Sequence, residues 1–295
     1  MKAENGYRPN VPPTDAEYDE EFYQGILKRY KRQQLRTAQN RRKQLEQPIL
    51  LGSSAALLLA GMICMGLFFS SWRAYQVSND FYRDLSEQAY IAASLTETDA
   101  AVRDTPAAAS RINFSALAEQ NPDVAAWLSI PGLSLELPVT HTTDNDHYLH
   151  YGFDGQKNNN GCLFLATQCA PDFSDLYQVV YGHNIHNGSM FGKLSSYEDP
   201  TFYTSHPTFT LCTPSGDRTC VIFSCHPAED NDEIYSSGWQ PGEDYDAFVA
   251  RMKEASLYNT GVTVPSGGRV LTLSTCASSY ASNTHRFVVH AWVQD

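Results

Sequence analysis

A cysteine and an arginine stand close together near the end of the sequence, where two β-strands would meet. Cys276 ends the run from Thr272 to Cys276, and Arg286 follows ten residues later. A cysteine thiolate is a nucleophile, while a guanidinium stays charged and offers several directed donors to a negative oxygen. The two side chains suit acyl transfer, in which Cys276 attacks a carbonyl carbon and Arg286 stabilises the oxyanion.

The sequence around these two residues predicts the strands that would hold them. Residues 269–275 and 286–293 alternate and are rich in residues that favour β-structure. We expect the two strands to pair as antiparallel neighbours. Because successive side chains of a strand point to opposite faces, Cys276 leaves the apolar face of its strand and shares a polar face with Arg286.

A cysteine nucleophile also needs a partner for proton transfer, and histidine suits that work near neutral pH. His183 stands out among nine histidines because it follows the short apolar strand Gln178 to Gly182 and opens a loop rich in Gly and Asn. From the residues alone four other histidines stay open as rivals, each more typical of an ordinary polar residue: His186, His226, His285 and His290.

Residues 49–72 contain no charged residue and exceed the roughly 20 apolar residues that a helix needs to cross a bilayer. They predict one transmembrane helix in contact with lipid. Because 48 residues precede the stretch, we expect a retained anchor rather than a cleaved signal peptide. A basic run lies just before it: Lys28, Arg29, Lys31, Arg32, Arg36, Arg41, Arg42 and Lys43. The positive-inside rule therefore places the N-terminus in the cytoplasm and the remainder outside the cell.

The chain divides into four predicted parts. Residues 1–48 are expected to form a disordered cytoplasmic tail with a basic juxtamembrane run, and residues 49–72 the transmembrane helix. Residues 73–112 are expected to form a helical stalk and linker, and residues 113–295 one folded extracellular domain. The part after residue 72 carries 26 acidic against 11 basic residues, which argues against a nucleic-acid partner.

Alternating hydrophobicity and turn residues predict a mainly β domain. Besides the two C-terminal strands, strands are predicted at residues 133–139, 162–167, 178–182, 209–213 and 218–224. A short helix is predicted at residues 114–120. A second, amphipathic helix is predicted in the long connection before the cysteine strand, because four apolar residues recur there at helical spacing: Tyr245, Phe248, Val249 and Met252.

Six cysteines lie beyond the predicted membrane span. Two pairs are close enough in sequence to leave disulfides open: Cys212 with Cys220, and Cys162 with Cys169. A rival interpretation makes Cys220, Cys225 and His226 metal ligands, but their spacing lacks a second matching pair. We therefore expect no metal site and a free Cys276.

Three blocks of sequence resemble the class B sortases. They are Tyr181-Gly182-His183-Asn184 with Gly188 to Gly192, then Thr272 to Cys276, then Arg286 to His290. Upstream motifs follow in the same order as in that class: Asn121-Pro122-Asp123-Val124, Trp127, Ile130-Pro131-Gly132, Pro138-Val139, Asp144-Asn145 and Tyr148-Leu149. The resemblance covers about residues 113–295.

This resemblance implies a sortase-type closed β-barrel of about eight strands, with N-terminal helices and a helix in the long connection before the cysteine strand. It also implies a membrane-anchored cysteine transpeptidase that needs no cofactor. In such an enzyme Cys276 attacks the threonine carbonyl within the C-terminal sorting signal of a surface protein and forms a thioester. An amine of a peptidoglycan precursor or wall peptide then resolves the thioester, so the surface protein becomes joined to the wall.

The resemblance assigns roles to seven residues. It makes Cys276 the nucleophile, His183 the general acid and base, and Arg286 the oxyanion-stabilising residue. It suggests substrate contacts at Thr275, Ser274, Tyr181 and Asn184. Two alternatives stay open: a pilin-polymerising sortase that uses a lysine amine, and a cysteine peptidase that releases a free acid.

Overall fold

The structure is a computed structural model that describes residues 15–100, 110–275 and 285–294. The chain separates into two compact units, Met1–Ser70 and Ser71–Asp295. Helix α1 spans Asp15–Ala100. Within Gly52–Tyr90 this helix is long and apolar enough, by length and composition, to cross a membrane.

The segment before the apolar stretch differs from the prediction of a disordered tail. Residues 15–48 belong to α1, while residues 1–14 lie outside the described part of the chain. The physical reason is composition, since Glu, Gln, Lys, Arg and Leu favour helix and no proline interrupts residues 14–47. Abundant charge alone therefore does not predict disorder here.

The second unit contains a closed barrel of eight strands. The strands are β1 Val124–Ile130, β2 Leu135–Thr140, β3 Leu163–Leu165, β4 Tyr177–Gly182, β5 Thr208–Thr213, β6 Gly216–Glu229, β7 Val270–Thr275 and β8 His285–Val293. Their order around the barrel is β1-β2-β3-β4-β7-β8-β6-β5. The pairs β2–β3 and β4–β7 are parallel, and the other described strand pairs are antiparallel. The predicted barrel and the predicted antiparallel pairing of the two C-terminal strands are confirmed.

Short helices connect the strands. They are α2 Phe114–Gln120, α3 His147–His150, α4 Pro200–Ser205 and α5 Glu243–Glu254, together with 3₁₀ helices at Pro131–Leu133, Leu194–Glu198 and Glu233–Tyr235. The apolar stripe predicted for α5 is buried, and its Phe248 packs edge-on against Tyr177 of β4 with ring centroids 5.0 Å apart. Helix α5 therefore covers one face of the barrel wall, which explains why every residue of β7 is buried.

A line of buried polar side chains crosses four neighbouring strands, and we call it the buried polar chain. Tyr177 donates to the carbonyl of Ile234 (2.7 Å), and Thr272 Oγ1 lies 2.9 Å from the Tyr177 hydroxyl. Thr272 Oγ1 also lies 2.7 Å from Nδ1 of His290, whose Nε2 is 3.1 Å from Nε2 of His226. The other ring nitrogen of His226 contacts the carbonyl of the next residue, a proline, at 2.8 Å. These contacts link β4, β7, β8 and β6.

Five cysteines of the barrel unit are buried free thiols: Cys162, Cys169, Cys212, Cys220 and Cys225. The possible disulfides are not formed. In the β5–β6 pair Cys212 faces Asp217 and Cys220 faces Phe209, so the two cysteines do not lie opposite one another.

The alternative metal site is not assembled in the structure. The sulfur of Cys225 lies 3.2 Å from the carbonyl of Tyr197 and 3.3 Å from the hydroxyl of Tyr258. Both ring nitrogens of His226 contact protein atoms of the buried polar chain and its end. The donor atoms of these two residues are therefore directed at the protein.

Candidate active site

Three strand ends meet at one edge of the barrel. In the parallel β4–β7 pair Gly182 lies beside Thr275. The backbone N–H of Phe287, near the start of β8, donates to Oγ1 of Thr275 at 2.9 Å. His183 directly follows Gly182, and Arg286 directly precedes Phe287. The topology thus brings two of the three predicted catalytic residues to the end of β7.

Cys276, the predicted nucleophile, is covalently next to Thr275 and lies outside the described residues. The same holds for residues 277–284 of the predicted loop. The strand that leads to the cysteine is described up to its last residue.

The imidazole of His183 is half-buried, and its Nε2 lies 2.8 Å from the carbonyl oxygen of Leu149. A carbonyl oxygen only accepts hydrogen bonds, so Nε2 carries a hydrogen in both protonation states of the ring. The proton that the ring gains and loses is therefore the one on Nδ1. This geometry fixes which atom of His183 can do acid and base chemistry.

The backbone around His183 is held closely on both sides. The carbonyl of His183 accepts from the N–H of Phe191 at 2.9 Å, and Asn184 forms a bridge with Met190. A Cβ at Gly182 would lie 2.6 Å from a ring carbon of Phe191. The glycine before His183 therefore lets the loop that follows fold back tightly onto the end of β4.

Arg286 is half-buried and lies opposite Ala228 in the β6–β8 pair. Ser274 of β7 lies opposite Val288 of β8. Because residues two apart in a strand share a face, Arg286 belongs to the same sheet face as Ser274. The shared polar face that the alternation of side chains predicted is present up to the last described residue of β7.

The predicted substrate contacts lie around this edge of the barrel. The hydroxyl of Thr275 accepts the bond from β8, so it joins the two strands. Ser274 Oγ lies 3.0 Å from the hydroxyl of Tyr235, and the ring of Tyr235 stacks on Tyr181 with centroids 6.0 Å apart. Asn184 is half-buried beside His183.

Sequence reasoning missed Leu149 and Tyr235. Leu149 acts through its backbone carbonyl, which carries no residue-specific signal. Tyr235 comes from the 3₁₀ helix in the long connection, and only the tertiary fold brings it to β7.

The four rival histidines lie elsewhere in the described structure. His226 and His290 are buried in the polar chain, His285 contacts Glu229 at 3.1 Å, and His186 is exposed in the loop after β4. Of the five histidines considered, all of them described, only His183 directly follows β4 and contacts Leu149.

Comparison with known proteins adds an independent observation. The sequence model of the sortase domain matches residues 128–294, which is more than half of the chain. The chain belongs to the sortase family. It is a sortase-type cysteine transpeptidase.

Individual relatives agree with class B. Sortase B of Listeria monocytogenes is 27% identical over 245 residues, covering 81% of this chain and 95% of the relative. Sortase B of Staphylococcus aureus is 28% identical over 181 residues, covering 61% of this chain and 74% of the relative. The crystal structure of Staphylococcus aureus sortase B has the same fold, with a TM-score of 0.66, 24% identity and coverage of 73% and 98%. Clostridium perfringens sortase B gives a TM-score of 0.58 at 30% identity, covering 62% of this sortase and all of that chain. These matches confirm the class B resemblance.

Proposed function

We propose that this sortase cleaves a C-terminal sorting signal after threonine and joins the new carboxyl end to an amine of cell-wall peptidoglycan. The observation that supports the proposal most is the meeting of Gly182, Thr275 and Phe287 at one edge of the barrel. Each of these residues is the sequence neighbour of one proposed catalytic residue: His183, Cys276 and Arg286.

In the first half-reaction the thiolate of Cys276 adds to the threonine carbonyl, which forms a C–S bond and an oxyanion. Arg286 donates to that oxyanion. Collapse of the intermediate breaks the peptide C–N bond, and the departing amine takes the proton from Nδ1 of the His183 imidazolium. A thioester stays on Cys276, and the rest of the signal leaves.

In the second half-reaction an amine of the wall peptide attacks the thioester. Nδ1 of His183 takes the proton that the amine loses, while Nε2 keeps its bond to the Leu149 carbonyl. The C–S bond breaks, Cys276 returns as a thiolate, and a new amide joins the surface protein to the wall. The cycle conserves electrons and uses no cofactor.

The face that carries Tyr181, Ser274 and Tyr235 is the proposed seat for the sorting signal, with Asn184 and Thr275 at its edge. Two stacked aromatic rings beside a hydroxyl pair offer both apolar surface and hydrogen bonds to an extended peptide. Solved structures titled as a Staphylococcus aureus sortase B-substrate complex and as sortase B complexed with triglycine support a peptide substrate and an amine acceptor of this kind.

The proposed location follows from α1 and its charges. Residues 49–72 anchor the chain in the bilayer, the basic run before them stays in the cytoplasm, and the barrel lies outside the cell. Protease added to intact cells should degrade the barrel and leave the N-terminal part protected. Protection of the barrel under those conditions would contradict this orientation.

The proposed function is tested with the full chain in detergent micelles. Sorting-signal peptides of varied sequence are offered with triglycine, a wall stem peptide or a lysine-containing pilin peptide as the amine. We expect a ligated product with triglycine or the stem peptide, and a thioester on Cys276 in mass spectra. Cys276→Ala should lose both, whereas the control Cys169→Ala, which removes a buried thiol from another part of the barrel, should keep both.

Other outcomes separate the alternatives. Ligation to the lysine peptide alone would favour pilin polymerisation. Release of free acid with every amine would favour a peptidase. Full ligation by Cys276→Ala would overturn the assignment of the nucleophile.

A further inference from the structure

The loop between α3 and β3 contacts the ring of His183 at both of its ends. At one end the carbonyl of Leu149 accepts from Nε2 of His183. At the other end Gly161 adopts a φ of +61°, and a Cβ there would lie 3.2 Å from Cδ2 of His183 and 2.3 Å from the carbonyl of Tyr148. We call residues 149–161 the histidine-contact loop. Its placement fixes where the His183 ring can lie.

Within the second unit, helix α1 presents one buried stripe to the barrel. Ser78, Tyr82, Leu85 and Ala89 recur at helical spacing, and all four are buried. Leu85 and Ala89 are apolar, whereas Ser78 and Tyr82 bring hydroxyl groups into the interface. Burial of a hydroxyl is costly unless it is hydrogen-bonded, so these two groups must have partners.

The partners of both hydroxyls lie in the histidine-contact loop. Tyr82 donates to the carbonyl of Gly161 at 2.7 Å and accepts from the N–H of Phe153 at 3.2 Å. Ser78 accepts from the side-chain amides of Asn158 (2.8 Å) and Asn160 (3.0 Å). Four bonds from two adjacent turns of α1 therefore hold the loop between its contacts with His183.

We propose that Tyr82 and Ser78 of the N-terminal helix are positioning residues for His183. They act through the histidine-contact loop, because Tyr82 bonds to Gly161, the residue that limits the His183 ring on one side. The proposal rests on the proposed role of His183 as general acid and base. Its consequence is that the helix preceding the barrel contributes to the chemical step as well as to anchoring.

The test compares Tyr82→Phe with Tyr90→Phe in the full chain. Tyr90 lies two turns further along α1, and its hydroxyl donates to Glu136 rather than to the loop. Tyr82→Phe should lower kcat about 10-fold with little change in KM, because small displacements of a catalytic group reduce rate steeply. It should also shift the pH dependence of kcat and the imidazole resonances of His183 in histidine-labelled NMR spectra. Tyr90→Phe should change none of these.

Two further variants keep the outcome decisive. Ser78→Ala should shift the His183 resonances in the same sense as Tyr82→Phe, and it covers the case in which Tyr82→Phe does not fold. Resonances and pH profiles like those of Tyr90→Phe in both Ser78→Ala and Tyr82→Phe would overturn the proposal. Full ligation by His183→Gln, which also assigns the His183 resonances by their loss, would instead overturn the role of His183 and leave the NMR comparison to decide positioning.

Discussion

The buried polar chain should make the stability of the barrel unit fall in mild acid. The chain has five contacts and a backbone carbonyl oxygen at each end, but two hydroxyls and two neutral imidazoles supply only four hydrogens. One open contact costs about 1–3 kcal/mol. Burying an uncompensated charge to fill it costs several kcal/mol more. Burial, with a smaller effect of neighbouring His226, therefore lowers the pKa of His290 well below the ordinary 6.5.

The sign of the effect follows from that shift. As pH falls through about 6.5, the unfolded chain takes up a proton at His290 and the folded chain does not. The free energy of unfolding then falls by about 1.36 kcal/mol for each pH unit. Between pH 6.5 and pH 5 this one side chain should remove about 2 kcal/mol, and above pH 7.5 it should remove almost nothing.

The assay is urea unfolding of the wild type and of His290→Phe between pH 5 and pH 8, followed by tryptophan fluorescence. Phenylalanine keeps a planar ring of similar size in the buried site but cannot titrate. The two stability curves should converge by about 2 kcal/mol as the pH falls from 8 to 5. Thr272→Val, which retains His290, should be less stable throughout and keep the acid-dependent fall. Parallel curves for the wild type and His290→Phe would refute the reasoning.

Three further predictions concern the site and its support. Arg286→Lys should lower kcat about 100-fold in the ligation assay, since lysine keeps the charge but loses the directed fork of donors; a rate within threefold of wild type would contradict this. Gly161→Ala should lower both kcat and the melting temperature, because its φ of +61° strains any Cβ by about 1–2 kcal/mol and the new methyl group crowds the His183 ring; unchanged rate and stability would count against that contact. Glu136→Gln should cost about 1.5–3 kcal/mol in urea unfolding with kcat retained, because the carboxylate accepts from Trp127 and Tyr90; an unchanged unfolding midpoint would exclude this role.

The sequence was most informative where periodicity and turn residues agree. Helix α2 was predicted at its observed bounds, and the stripe of α5 and the pairing of β7 with β8 were also predicted. Alternation works for these strands because each apolar residue reports a buried face. Strand β1 was missed because both of its faces are buried, so its sequence lacks the alternation of a half-exposed strand.

The site was predicted in part for a related reason. His183 and Arg286 could be found because side-chain chemistry marks them. The Leu149 carbonyl that selects the tautomer of His183 is a backbone atom, and any residue type would supply it. Tyr82 lies 101 residues before His183, in a helix whose apolar neighbours suggested only a stalk. Contacts of that kind depend on the tertiary fold, which periodicity does not encode.

The position of β8 in the barrel has a consequence for the order of folding. β8 is the last strand in the described residues, yet it lies between β7 and β6. Until it pairs, those two strands keep open edges, which are prone to mispairing with other chains. Closure needs contacts between distant parts of the sequence, and such contacts form slowly. The strand that leads to Cys276 and the strand that carries Arg286 thus join only as the barrel closes, so a partly folded chain cannot hold a working thiol site.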